Sequence, residues 1–187
     1  MATVSNQPFE PRSMPSSADV GRNDYVATEH MAAMPKARLG HIALKAQDPS
    51  VLAAFYGELF AMDVVGGTPN GAMAFLASYA DEESHDIVFS RDPTLAHIAF
   101  KVDTLADLLA AYQGVCARNI SVQTYTHGMS LAAYFRDPED NLIELYWPTG
   151  RTDFSMPFIQ PMDFDQPEEA LLRLIQEQPS RQRGTVK

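Results

Sequence analysis

Several features that mark specialised proteins are scarce in this sequence. One of its 187 residues is cysteine, so no disulfide can form within the chain, and such sparing use of cysteine fits a reducing compartment. Lys and Arg number 14 against 24 Asp and Glu and are scattered, which makes nucleic acid and anionic membranes poor partners. No apolar run approaches the roughly 20 residues that cross a bilayer, and no secretory signal is visible. These scarcities predict a cytoplasmic globular protein.

An internal repeat is the most informative feature that the sequence does have. The stretch LGHIALKAQDPSVLAAFY begins at Leu39, and LAHIAFKVDTLADLLAAY begins 56 positions later, at Leu95. In each copy an alternating stretch predicts a strand, and a helix start follows at Asp48–Pro49 or at Thr104. The apolar residues at helical spacing are Val51, Leu52, Phe55, Leu59 and Phe60 in the first copy and Leu105, Leu108, Leu109, Tyr112 and Cys116 in the second. We therefore expect Cys116 to be a small core residue rather than a nucleophile.

Short strands and turns follow each predicted helix, so each copy is read as a βαβββ unit. A unit of about 55 residues cannot bury both faces of its own sheet, and the two units should pack together. We predict an α+β fold in which module 1, about 38–91, and module 2, about 94–149, form a curved mixed sheet around a shared cleft. Residues 1–37 are predicted to be a flexible tail, and 150–187 a C-terminal extension with a short helix near 167–177.

Two histidines and one glutamate are candidate metal ligands in this cleft. His41 and His97 occupy equivalent places on two first strands, opposite the residues that face the helices. By themselves they are equally well explained as half-buried sheet histidines that were duplicated together. Glu144 lies in an otherwise apolar last strand, where an unpaired charge is costly and needs a cation. Two imidazoles and one carboxylate form a facial triad, which suits non-haem Fe(II).

The repeat also predicts the number of ligands. Subtracting 56 from 144 gives position 88, which is valine. The first module therefore offers no fourth ligand at the matching place, unless a shift in register lets Asp86 serve. Three protein ligands leave three positions of a six-coordinate metal open.

The ordered set GHIAL, SHDIVF, AHIAF and HGMSLAAYFRDPEDNLIELYW resembles the vicinal oxygen chelate superfamily, which contains glyoxalases, bleomycin resistance proteins and dioxygenases. Within it, residues 38–149 resemble the small one-domain type I extradiol dioxygenases, and the segment YWPTGR…PFIQPMDFD resembles the tail of biphenyl-diol dioxygenases. The resemblance implies that His41, His97 and Glu144 bind Fe(II), with Mn(II) as the alternative. It also implies that the substrates are a small aromatic diol and O2.

The resemblance assigns three further residues to catalysis. His85 matches an acid-base histidine that takes a proton from the catechol and later returns one, with capping of the preceding DEES turn as the less favoured alternative. His127 and Tyr134 match hydrogen-bond donors to the substrate or to an oxygen-derived anion. Tyr134 could equally be a plain cross-strand aromatic.

One turn departs from the family pattern. The usual DPDGN is DPEDN here, so that Asp140 replaces a glycine. We expect the neighbouring Asn141 to adopt the left-handed conformation instead, and the change to affect the turn more than the metal.

Other functions remain open at this point. A glyoxalase-like isomerase or lyase needs four protein ligands, and Val88 argues against it. A thiol transferase acting on an anion needs basic residues at the cleft, for which Lys45, Lys101 and Arg136 are the candidates. A metal-free binding protein has no use for both histidines and the buried glutamate.

The substrate is not identified by the sequence. The walls of the substrate pocket are predicted to consist of apolar and aromatic side chains, which would suit a bicyclic catechol. The exposed sheet edges of each module predict a homo-oligomer. The candidate wall residues are Met73, Phe75, Met129, Phe154 and Phe158.

Overall fold

The computed structural model describes residues 33–79, 85–154 and 158–179, and in this part the order β-α-β-β-β occurs twice. The predicted α+β fold of tandem βαβββ modules is confirmed. The predicted N-terminal tail lies almost wholly outside the described residues, as does the DEES turn at 81–84. The elements are β1 Arg38–Lys45, α1 Pro49–Phe60, β2 Asp63–Gly67, β3 Met73–Ala77, β4 Ile87–Ser90, a 3-10 turn Pro93–Leu95, β5 His97–Lys101, α2 Leu105–Cys116, β6 Gln123–Thr126, β7 Ser130–Arg136, β8 Leu142–Pro148, β9 Gln160–Pro161 and α3 Glu168–Glu177.

The two modules meet at the centre of one mixed sheet. Strands β1 and β5 pair antiparallel, with His41 opposite Ala99 and His97 opposite Ala43. On either side of this pair, β4 runs parallel to β1 and β8 runs parallel to β5. The described strands follow the order β2-β3-β4-β1-β5-β8-β7-β6-β9, and the sheet is not closed into a barrel. The pseudo-twofold relation between the modules thus brings both first strands to the middle of the sheet.

The helix starts agree with the local sequence. The Asp48 side chain accepts a hydrogen bond from the Ser50 amide, and Pro49 follows in the first turn. The Thr104 hydroxyl accepts from the Asp107 amide at 3.0 Å. These caps satisfy amides that the first turn of each helix leaves without a partner.

The second helix is buried along its predicted stripe, except at its end. Its buried residues Leu105, Leu108 and Ala111 share a core cluster with the C-terminal extension. The prediction that Cys116 is a core residue is wrong, because Cys116 is exposed and Val115 is buried in its place. Successive residues are about 100° apart around a helix, so position 116 lies off the face that buries position 115. The partners of α2 in the extension are Met162, Phe164, Leu171 and Ile175.

The first helix contacts the core with its smaller residues and leaves large ones in solvent. Pro49 and Ala53 are buried, whereas Phe55 and Phe60 are 51% and 62% exposed. The apolar spacing predicted the helix correctly. It did not predict which of the apolar residues would be covered.

The turn between β7 and β8 differs from expectation at one residue. The positive φ, 68°, is at Asp140 and not at Asn141. The Asn141 amide instead donates to the Asp137 carboxylate at 2.8 Å, and Arg136 donates to the Asp140 carbonyl at 2.7 Å. Aspartate tolerates the left-handed region better than most residues, so it can replace the glycine of the usual turn.

Candidate metal centre

Three neighbouring strands at the middle of the sheet each contribute one candidate ligand. His41 lies on β1, His97 on β5 and Glu144 on β8, and all three side chains point to the same face. His41 and Glu144 are 8% and 3% exposed. Among the described residues, these three form a group whose ligand atoms lie within 4.8 Å of one another.

The three ligand atoms form a nearly equilateral triangle. The two Nε2 atoms of His41 and His97 are 3.1 Å apart, and they lie 3.2 Å and 2.9 Å from the Glu144 Oε2. Ligands bound at right angles with bonds of about 2.1 Å lie about 3.0 Å from one another, whereas tetrahedral ligands lie about 3.4 Å apart. The triangle therefore matches one face of an octahedral site, and the residues present fit a divalent metal ion.

The orientation of the His97 ring is set by a backbone carbonyl. Its Nδ1–H donates to the Leu95 carbonyl at 2.7 Å, since a carbonyl can only accept. In the neutral ring Nε2 then carries a lone pair, which faces the carboxylate of Glu144. Two lone pairs this close repel each other unless a proton or a metal cation lies between them. Metal-binding histidines typically use the ring nitrogen that does not face the metal to donate such a hydrogen bond to a carbonyl.

The sequence before His97 explains why that carbonyl is in place. Asp92 accepts from the Thr94 amide at 2.9 Å and, with Pro93, starts the 3-10 turn that ends at Leu95. This turn is part of the link between the modules. Its carbonyl is a functional group that sequence reasoning missed, because a backbone atom has no side-chain signature.

The pKa values at the centre are set by a buried carboxylate that lies next to two imidazoles. Burial by itself would raise the pKa of the Glu144 carboxyl, but hydrogen bonds and charge from His41 and His97 hold that pKa well below its usual range. Burial works against the charged form of His97, yet the hydrogen bond and charge of Glu144 raise the pKa of His97. Glu144 is thus an ionised group that depends on the positive charge it faces.

The matching place in the first module carries no ligand. Strand β4 pairs with β1 so that Val88 lies beside Ala43, as Glu144 on β8 lies beside Ala99. Asp86 does not substitute for it, because its carboxylate accepts from the Ser78 amide at 2.6 Å. The register predicted from the repeat is therefore the register observed.

His85 lies beside the ligand triangle without belonging to it. Its ring centroid is 4.3 Å from that of His41 and 5.3 Å from that of Phe75. Burial, followed by the charge of His41, lowers the pKa of His85 to about 3. The His85 ring is therefore neutral.

His127 and Tyr134 lie on the other side of the triangle. The His127 Nδ1–H donates to the Phe158 carbonyl at 2.8 Å, so that Nε2 of the neutral ring accepts a hydrogen bond from the Tyr134 hydroxyl, 3.0 Å away. Burial, with the nearby charge of Glu144, raises the pKa of Tyr134 well above its ordinary value. Tyr134 also contacts the His97 ring edge-on, with centroids 5.9 Å apart. Tyr134 thus stands between His127 and the ligands.

The C-terminal extension forms the wall next to this pair. The Phe154 ring packs over Gly128, whose φ of 74° and lack of a Cβ permit the approach. Arg151 stacks on Phe154 and donates to the carbonyls of Ile175 and Gln178 at the end of α3. Arg151 therefore ties this wall to the last helix, a role that sequence reasoning also missed.

Of the predicted wall residues, three are buried aromatics close to site histidines. Phe75 contacts the His85 ring, and Phe158 supplies the carbonyl that holds His127. Phe154 packs on Phe158 with ring centroids 5.0 Å apart. A wall contact that was not predicted is Tyr146, whose ring lies 5.3 Å from that of His41.

None of the described helices is long and apolar enough to span a membrane.

Known proteins share both the sequence and the fold of this chain. Over 121 residues it is 31% identical to biphenyl-2,3-diol 1,2-dioxygenase 3 of Rhodococcus globerulus, a match that covers 58% of this chain and 62% of the relative. The chain thus spans less than two thirds of the length of that relative.

Two solved structures illustrate the shared fold. Homoprotocatechuate 2,3-dioxygenase from Arthrobacter globiformis superposes with a TM-score of 0.56 at 18% identity, over 67% of this chain and 40% of that one. The Mn(II)-bound glyoxalase from Novosphingobium aromaticivorans superposes with a TM-score of 0.54 at 18% identity, over 69% and 40%. Likeness at these identities establishes the fold alone. The family model for the glyoxalase, bleomycin resistance protein and dioxygenase superfamily matches residues 38–145, and the chain belongs to that superfamily.

Proposed function

We propose that this chain is an Fe(II)-dependent extradiol dioxygenase, which cleaves the ring of a catechol-type aromatic diol with O2. The observation that carries the proposal is the triangle of His41, His97 and Glu144, whose three ligand atoms lie 2.9–3.2 Å apart. Val88 stands where a fourth ligand would be needed. Three protein ligands leave room for a chelating diol and O2.

The metal that these residues would hold is Fe(II), with Mn(II) as the alternative. When bound, such a metal lowers the pKa of a coordinated diol and supports oxygen chemistry. Two nitrogens and one carboxylate oxygen suit both metals. The redox requirement of the proposed reaction excludes zinc as the active metal, which makes it a useful control.

His85 is proposed as the acid-base residue. It is buried, lies beside His41 and is not one of the three ligands. A neutral imidazole in that place can accept a hydroxyl proton once the diol is bound, and its low pKa favours prompt return of that proton to the product. Phe75 packs against the same ring and helps to keep bulk water from it.

Tyr134 and His127 are proposed to act as a pair, in which Tyr134 is nearer to the reacting atoms. Both hydrogen bonds of the His127 ring are made within the protein, to Phe158 and to Tyr134. His127 is therefore a positioning residue, because it fixes the direction of the Tyr134 hydroxyl. With its proton donated to His127, the Tyr134 oxygen keeps lone pairs that can accept a hydrogen bond from a hydroxyl of the diol at the ligand face of the site.

The substrate class follows from the wall and from the relative. Phe75, Phe154 and Phe158 are buried aromatic residues around the site histidines, and they favour an aromatic guest. The relative from Rhodococcus globerulus is a biphenyl-2,3-diol dioxygenase. We therefore propose 2,3-dihydroxybiphenyl as the first diol to examine.

The test is to load the protein with Fe(II) under anaerobic conditions, add a panel of catechols that includes 2,3-dihydroxybiphenyl, and admit air. A yellow ring-opened product and equimolar O2 uptake are expected with at least one diol. The same protein loaded with Zn(II) should give neither. Fully iron-loaded protein that consumes no O2 with any catechol would contradict the proposal.

A further inference from the structure

Large apolar side chains of the first module form an exposed surface on the outside of the molecule. Their exposed fractions are 62% for Val51, 51% for Phe55, 58% for Leu59, 62% for Phe60 and 61% for Val64. The first three are spaced four residues apart and lie along one face of α1. We call these five residues the α1 surface.

The α1 surface is apolar in a chain that is otherwise strongly acidic. The formal net charge of the chain is −10, yet Glu58 is the one charged residue of α1. Phe55 and Phe60 both contact the Tyr56 ring, at centroid distances of 5.7 and 5.5 Å, so the aromatic part of the surface is continuous. An apolar patch of this kind is typical of a protein interface.

The second module shows what the same helix face looks like when it is covered. Positions 55 and 59 correspond, 56 residues on, to Ala111 and Val115, which are 2% and 5% exposed. Ala111 belongs to the core cluster that includes Phe164 and Leu171 of the C-terminal extension. The first module carries larger apolar residues at these two positions, and none of the described residues buries them.

We propose that the α1 surface is the interface between two copies of this chain. The other candidate is a covering segment of the same molecule, but both ends of the described chain lie on the second module and not on α1. Met34 contacts Gly114 and Arg118 at the end of α2, and the C-terminal extension also packs on α2. A segment from either end would have to cross from the second module to reach α1.

The area is sufficient for a dimer. Aromatic side chains offer about 150–250 Å² each and aliphatic ones somewhat less, so five that are half to two-thirds exposed present on the order of 500 Å². A twofold axis through the surface would remove about 1,000 Å² from water, which reaches the lower bound for a specific interface. Strand β2, at one end of the described sheet, lies next to α1 and adds an edge that can extend the contact.

The test is sedimentation equilibrium of the full chain, whose single-copy mass is 20.7 kDa. Wild type is expected to have twice this mass, and the double variant Phe55→Glu with Leu59→Glu the mass of one copy. The four glutamates would face each other in an apolar contact, so the dissociation constant should rise by about a hundredfold or more. The matched control is Leu174→Glu, at a 39% exposed apolar residue of α3, and it should remain a dimer.

Hydrogen exchange on wild type makes the test independent of whether the double variant folds. Amides of α1 should lose protection when the protein is diluted until its mass is that of one copy. A wild type of single-copy mass at every concentration would overturn the proposal. So would a folded double variant of twice that mass, or α1 amides that exchange equally fast in the dimer and in the monomer.

Discussion

The two modules share a histidine on their first strand and differ in the strand that pairs parallel to it. In the first module Ala43 lies beside Val88, and in the second Ala99 lies beside Glu144. Duplication of one ancestral module explains why both modules carry this histidine. The symmetry of the sheet then brings the two histidines to one site. The departure from symmetry at the last strand provides the charge, and it limits the candidate ligands from these paired strands to three.

The modules also differ in what covers their helices. Helix α2 is packed beneath the C-terminal extension, whereas the corresponding face of α1 is open among the described residues. The extension serves the site as well, because Phe158 holds His127. The second module therefore carries the wall of the candidate site, and the first carries the exposed surface that we propose for association.

The largest expected effect on metal binding comes from Glu144, the residue at which the two modules differ. Glu144→Gln removes the negative charge between two histidines, and the purified variant is expected to retain no Fe(II) after dialysis and to have no dioxygenase activity. Metal content by elemental analysis checks this. The matched change in the first module, Val88→Ala, should keep the metal and lower the free energy of unfolding by roughly 2 kcal/mol through a cavity. Full metal content in the Gln variant would remove Glu144 from the ligand set.

The next comparison separates residues that bind the metal from residues that move protons. His85→Ala should keep the metal but lose turnover by about 10²–10⁴, the usual worth of an acid-base group. His97→Ala should lose the metal. Tyr134→Phe, in the second module, removes the hydroxyl that accepts from the diol, and it should keep the metal and lower turnover by less than His85→Ala does. The measurements are metal content and single-turnover rate, and an empty site in His85→Ala would show that the division of roles is wrong.

The smallest expected effect concerns the covered and the open helix. Leu171 of the C-terminal extension is fully buried against α2, and Leu171→Ala should lower the free energy of unfolding by about 3 kcal/mol. Val51 is 62% exposed, and Val51→Ala should change it by less than about 0.5 kcal/mol. Urea unfolding, at a dilution where the chain has the mass of one copy, measures both. Equal losses would mean that Val51 on α1 is as fully covered as the contact between α2 and the C-terminal extension.

Much of the fold and of the ligand arrangement follows from local patterns. Strand alternation puts alternate side chains on one face, which is why the positions of His41 and His97 in the repeat predict that they share a site. The spacing of 56 residues between copies carries the register from Glu144 to Val88. These inferences need only backbone geometry and one repeat.

Other features do not follow from local patterns. A helix with apolar residues on more than one face does not say which face will be buried, so the spacing does not distinguish the exposed Phe55 from the buried Ala111. Cys116 shows the same difficulty at a single position. The carbonyls of Leu95 and Phe158, which orient His97 and His127, have no side-chain signature at all.

Local sequence is enough to establish the two modules, the caps of their helices and the identity of three candidate ligands on one sheet face, because each depends on interactions within one strand, one turn or one repeat. The long-range packing sets the rest: the ligand atoms form a triangle of 2.9–3.2 Å, Phe158 orients His127, and α2 is covered while α1 is open. These features depend on contacts between segments that are distant along the chain, and the close fit of the folded interior fixes their distances.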